Sequence, residues 1–159
     1  MKFTLTYIFL LCFILSGLFF WNCAKPDQTK PLKSKSEFYF KMKSVDKGRF
    51  LVKQLGCNDC HTAGYLKSEG NIPENKWLIG DTIGWRGPLG TSYGSNLRLL
   101  IDTYKEEEWI KMAKTLKSRP PMPHPILNAM NNEDLQAIYW FIRYLGPSGK
   151  PAPVYEPYG

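Results

Sequence analysis

Apolar residues fall into two kinds of pattern along the chain. From Phe3 to Trp21 they run almost unbroken behind Lys2, whereas from residue 44 onward they recur at helical spacing in separate segments. The clearest segment places Leu135, Ile138, Tyr139, Ile142 and Leu145 on one helical face; Asn131 and Asp134 form a capping pattern before it, and Gly146-Pro147 stops it. A second is expected to open at Asp102 or Thr103. It carries Glu106, Glu107 and Glu108 where acids favour a helix start, Trp109, Ala113 and Leu116 on its apolar face, and Lys117 and Arg119 near its end. Met112 falls on the face away from Trp109 and Ala113. The earliest segment starts with Ser44 as cap and reaches Gly56, with Phe50, Leu51 and Leu55 on one side. No convincing alternating run marks a strand, so the pattern predicts an all-α domain.

The unbroken apolar run reads as a secretory h-region or a short membrane anchor over residues 1–22, and either role places the remainder outside the cytoplasm. Cys23 follows it directly and precedes a polar stretch, which resembles a bacterial lipoprotein processing site, although Trp21 and Asn22 stand where small residues are usual. Lipid on Cys23, an uncleaved anchor and simple secretion all stay open. Residues 23–43, rich in Lys, Pro and Ser, read as a basic extended tether ahead of a domain over 44–147. Residues 148–159 hold too much Pro and Gly for helix or central strand and are expected to lie extended on the surface.

Composition adds one bound and charge adds another. After a leader and a tether, 159 residues leave one small domain with one core. The formal charge of +7 is concentrated: residues 24–53 hold nine Lys/Arg against three acids, and from residue 54 onward eleven basic residues face eleven acidic ones. A basic juxtamembrane stretch is attracted to anionic headgroups or simply keeps a linker soluble. Neither role is that of a nucleic-acid binder, which needs the basic surface on the folded domain.

Of four cysteines, Cys57 and Cys60 alone belong to the domain. Cys57-Asn58-Asp59-Cys60-His61 is the c-type haem attachment pattern, in which both thiols add to the haem vinyl groups and the histidine offers an imidazole nitrogen to the iron. A thioredoxin-like dithiol requires a strand before the pair, and a structural zinc site requires about four ligands where the only other histidine is His124. The sixth iron position has four candidates, Met122, Met130, Met112 and His124, or stays open. Met122 leads, because Arg119-Pro120-Pro121-Met122-Pro123 has no helical option and a rigid loop suits a weak thioether ligand. Met130 precedes the last helix cap, where it fits a hydrophobic staple. His124 leaves a bis-histidine site in play.

These elements resemble class I c-type cytochromes, in particular the small mono-haem domains found alone or attached to periplasmic dehydrogenases. The resemblance rests on Gly48-Arg-Phe-Leu51, Cys57 to His61, Gly87-Pro88-Leu89-Gly90 with Asn96-Leu97, Pro120 to Pro123, and Asp134-Leu-Gln-Ala-Ile-Tyr139, in family order over about two thirds of the chain. It implies an all-α class I cytochrome c fold, three to four helices around one covalently bound haem c. It further implies Met122 as distal ligand, a crossing of the first helix near Gly48 and Phe50 over the last near Tyr139, and a hydrogen bond from His61 to the Pro88 carbonyl. Trp77, Trp85 and Arg86 stand as haem-lining residues or ordinary core. The implied role is that of an extracytoplasmic single-electron carrier rather than an enzyme, with a dehydrogenase or oxidase as redox partner and the membrane reached through the N-terminal anchor or a lipid on Cys23. The rival role, a haem-based sensor or small peroxidase, needs a labile sixth site.

Overall fold

A computed structural model of the chain describes residues 35–158, with side chains from Tyr39 onward. The apolar leader, Cys12, Cys23 and the first part of the tether lie outside the described residues. The elements run α1 (Lys35–Gln54), α2 (Cys57–His61), a 3₁₀ turn (Glu74–Lys76), β1 (Gly84–Gly87), β2 (Gly90–Tyr93), α3 (Leu97–Asp102), α4 (Glu106–Thr115), α5 (His124–Ala129), α6 (Asn132–Leu145) and β3 (Glu156–Pro157). No helix among the described residues is long and apolar enough to cross a membrane.

Helix α6 forms where local signals agree. The Asn131 side chain accepts from the Asp134 N–H at 2.8 Å, and Gly146, at φ +68°, takes the chain out of the helix. Leu135, Ile138, Tyr139, Phe141 and Ile142 are all buried on its inner side. Helix α1 crosses it so closely that a Cβ on Gly48 would stand 2.0 Å from the Ala137 carbonyl oxygen and 2.7 Å from the Phe141 Cβ. Around this crossing Val45, Val52, Trp77, Leu78, Ile101 and Trp109 complete the core, with Trp77 edge-on to Phe141 at 6.3 Å.

Several expectations change. Helix α1 begins at Lys35, inside the stretch expected to be extended, and Ser44 lies in its middle, its hydroxyl bonded to the Phe40 carbonyl one turn back at 3.0 Å. Phe50 is exposed, while Leu51 and Leu55 pack on the core. The helix expected to open at Asp102 or Thr103 opens at Glu106, with the Glu108 carboxylate accepting the Lys105 N–H at 2.9 Å. Asp102 instead ends α3, a separate helix that Asn96 caps by accepting from the N–H groups of Arg98 and Leu99.

The all-α expectation is wrong: beside six α-helices, the described residues form a three-stranded antiparallel sheet in the order β1-β2-β3. Strands β1 and β2 are a hairpin turned at Pro88-Leu89, pairing Trp85 with Ser92 and Arg86 with Thr91. Strand β3, from the far end of the chain, pairs Glu156 with Thr91 and Pro157 with Gly90. Each strand is four residues or fewer, too short for a period-two signal, and glycine at both ends of the hairpin hides strand propensity further. Of the segment expected to lie extended on the surface, Glu156 and Pro157 pair as an edge strand, and Gly149, at φ +78°, bends the chain before them.

One buried cation ties these parts together. Arg98, a residue 7% exposed, donates from its guanidinium to the carbonyls of Leu145 and Gly146 at the end of α6 and to that of Asn75, and among the described residues no carboxylate pairs with it. A cation at a helix C-terminus is favoured by the dipole, and the planar fork reaches several carbonyls at once. Replacing Arg98 with Met is expected to lower stability by about 2–3 kcal/mol, read from the urea midpoint at unchanged slope, with Lys recovering less than half. A loss below about 0.5 kcal/mol, the size of an ordinary surface change, would show that the guanidinium is no anchor.

Candidate functional site

Gly56, at φ +67°, ends α1 and turns the chain into α2, a single helical turn made of the Cys-Asn-Asp-Cys-His sequence itself. Helical spacing puts the side chain of Cys57 on the same face as those of Cys60 and His61. His61 is buried, and its Nδ1–H donates to the Ser95 carbonyl at 2.8 Å. A carbonyl only accepts, so this bond places the proton on Nδ1 and leaves Nε2 as the free lone pair. The acceptor expected from the resemblance was Pro88, which instead occupies the hairpin turn. The strand leaving that hairpin passes directly beside the cysteine-histidine turn. A Cβ on Gly94 would lie 1.7 Å from the Cys60 carbonyl oxygen, so only glycine lets Ser95 reach the ring.

The turn is also held from behind. The Thr62 hydroxyl donates to Asn58 Oδ1 at 2.7 Å and accepts from the Leu78 N–H at 2.7 Å, and the Gly80 N–H donates to the His61 carbonyl at 2.8 Å. Leu78, fully buried, sits at φ +60°, a conformation that costs a branched residue about 1–2 kcal/mol. Its burial and its backbone bonds to Thr62 and Leu97 hold it there.

Above α2 opens a cavity of about 620 Å³. Cys57, Cys60 and His61 form part of its wall together with Leu97, Leu100, Trp109, Leu116, Ile138 and Ile142, and Met122 with Pro121 and Pro123 supplies another part. The structure therefore brings Cys57, Cys60, His61 and Met122 onto one cavity. Met112 is on the wall as well, beside Trp109 and Ala113, contrary to the face expected for it. His124 and Met130 are not on the wall; Met130 packs against the core. Of the aromatic residues left open, Trp85 lines the cavity, Trp77 belongs to the core, and Arg86 turns outward to Tyr158, its Nε 3.3 Å from the hydroxyl.

Electrostatics separate this site from a redox dithiol. Burial pushes the Cys57 thiol up to about 11, with Asp59 and Cys60 adding to it, and Cys60 is raised by burial and then by Asp59 and Asp81. Thiol–disulfide catalysts need the opposite shift, and both thiols are free. His61 is pushed below the ordinary histidine value by burial, against the smaller opposing effect of the Ser95 bond, so the imidazole is neutral at pH 7 as a metal ligand must be. Among the described residues no group of three or more His, Cys, Asp or Glu side chains could hold a metal ion by itself. In the haem-free chain, alkylation of Cys57 is expected to be slow at pH 8 and to climb through a midpoint near 11; a midpoint below 8 would contradict the buried, apolar setting.

Sequence reasoning missed Gly94, Ser95 and Tyr155 as parts of this site, and it named Asn96 and Arg119 only as motif neighbours of Leu97 and Met122. Gly94-Ser95-Asn96 carried one readable signal, a capping residue before Leu97-Arg-Leu-Leu-Ile-Asp102, but nothing local announces that the preceding carbonyl meets a histidine 34 residues earlier. Comparison with protein-family models, curated proteins and solved structures finds no match to this chain.

Proposed function

We propose that this chain is a mono-haem c-type cytochrome, a single-electron carrier that works outside the cytoplasm and is tethered there by its N-terminal segment. The observation that carries the reading is the convergence on one mainly apolar cavity of two free thiols, a neutral histidine with its Nε2 lone pair free, and a thioether from a proline-held loop. The residues fit haem c. At about 620 Å³ the space is in the range of cofactor and ligand pockets, the thiols and imidazole stand on one helical turn, and the rest of the wall is largely hydrocarbon.

A haem bound here would supply an iron that exchanges one electron without making or breaking bonds. Cys57 and Cys60 would hold it through thioethers, and His61 and Met122 would be its iron ligands. Ser95 keeps the His61 ring in one tautomer and orientation. Leu97, Leu100, Trp109, Ile138 and Ile142 exclude water, which favours the less charged reduced state and, with the methionine, a high potential. The partners proposed are a dehydrogenase or membrane complex as donor and a terminal acceptor.

The test is to produce the full chain with a c-type haem maturation system, denature it, and ask whether haem stays with the polypeptide. Retention in the parent and its loss in a Cys57→Ala, Cys60→Ala double variant support the reading; release of haem from the denatured parent overturns it. A reduced protein that binds carbon monoxide as readily as an open haem would favour the sensor role instead.

A further inference from the structure

The C-terminal segment spans the cavity from one ligand side to the other. It is fixed first beside His61: the Asn96 side-chain amide, adjacent to the Ser95 carbonyl that holds the histidine, donates to the carbonyls of Ser148 at 2.8 Å and Lys150 at 3.1 Å. Gly149 between them sits at φ +78°, and a Cβ there would stand 3.2 Å from that amide. Pro153 and Tyr155 then enter the cavity wall, and β3 pairs with β2. Gly90 permits the approach, since a Cβ on it would fall 2.3 Å from the Glu156 carbonyl oxygen.

The far end of this strap meets the methionine loop. The Tyr155 hydroxyl donates to the Leu89 carbonyl in the hairpin turn, and the Arg119 guanidinium lies over the Tyr155 ring, 3.8 Å from its centre. Arg119 and Met122 close one turn of chain through the Met122 N–H and Arg119 carbonyl at 3.1 Å, so the position of one constrains the other. Both residues are on the cavity wall. Proline supplies local stiffness to this loop, but stiffness sets a shape and not a place. Where the loop sits over the cavity needs a contact from outside it.

We propose that Tyr155 is a positioning residue for the distal ligand: its ring, stacked under Arg119, holds the 119–123 loop so that Met122 stays on the cavity. This inference rests on the proposed function and names the device that keeps the sixth position filled. Loss of the contact leaves the cysteine-histidine turn and its attachment chemistry intact while raising the fraction of molecules whose loop has swung away. A ligand that binds only the open form gains apparent affinity in proportion to that fraction.

The experiment uses the full chain with haem attached, as parent and as Tyr155→Ala, Tyr155→Phe and Arg119→Ala. Two readouts are taken: the weak far-red sulfur–iron band of the oxidised protein and the affinity of the reduced protein for carbon monoxide. Tyr155→Ala and Arg119→Ala are each expected to lose much of the band and to bind carbon monoxide about tenfold more tightly, while Tyr155→Phe, which keeps the stack, stays near the parent. Arg119 is exposed, so its variant tests the stack even if Tyr155→Ala folds poorly. A parent with the band and alanine variants indistinguishable from it overturn the positioning role alone. Tyr155→Phe as open as Tyr155→Ala overturns the assignment to the stacked ring. A parent that holds haem covalently but lacks the band removes Met122 as ligand and this role with it, and a parent without covalent haem overturns the functional reading first.

Discussion

A Gly94→Ala protein is expected to lose at least about 3 kcal/mol of stability, at the upper end of the range for overpacking, and to accumulate little haem-bearing product. The added Cβ would occupy a point 1.7 Å from the Cys60 carbonyl oxygen, 2.7 Å from its carbon and 3.4 Å from the His61 nitrogen. Those atoms are backbone, so no rotamer change relieves the overlap. The strand exit and the cysteine-histidine turn must part, and the Ser95 carbonyl leaves the His61 Nδ1–H with them. Gly87, with nothing near its Cβ position, provides the control: the same substitution there meets no atom within 4 Å. Urea unfolding gives the stability, and the ratio of covalent haem to protein gives the yield. A Gly94→Ala protein as stable and as fully loaded as the Gly87→Ala protein would show that the close approach is not required.

Met122→Leu is expected to leave haem covalently attached while abolishing the far-red band and lowering the reduction potential by on the order of 0.1–0.3 V, within the range of about 0.8 V over which axial ligands set haem potentials. Leucine matches methionine in volume and apolarity, so packing changes little, and the thioether is the difference. Met112 provides the necessary comparison, because it too lies on the wall. It stands on helix α4, whose Trp109 and Ala113 are buried, and Met112→Leu is expected to keep band and potential. If Met112→Leu loses the band and Met122→Leu retains it, the ligand assignment moves to α4 while the electron-carrier reading survives.

What could be read from the chain was local. Cys57 to His61 forms its own turn of helix, so sequence spacing equals spatial grouping and the three groups meet without help from the rest of the fold. Helix α6 has its start at Asn131, its apolar face and its stop at Gly146 all within one continuous segment, and the proline loop around Met122 excludes helix by covalent geometry alone. Signals of this kind are complete within one continuous segment of chain, and they survive whatever the remainder of the chain does.

Tertiary structure decided what depends on distant partners. The β1-β2 hairpin gains a third strand only because Gly90 and Thr91 meet Pro157 and Glu156, and no property of four residues foretells that pairing. The His61 acceptor is Ser95 rather than Pro88 because the glycine at 94 lets β2 exit against α2. Arg98 became a buried anchor because α6 ends where its fork can reach. Tyr155 became part of the cavity because Asn96 fixes the chain at Ser148 and Lys150. In each case the deciding interaction is a backbone group satisfied from far along the sequence. A carbonyl must find a donor wherever the packed chain delivers one, and which residue delivers it is settled by the packing of the helices and not by the residues on either side.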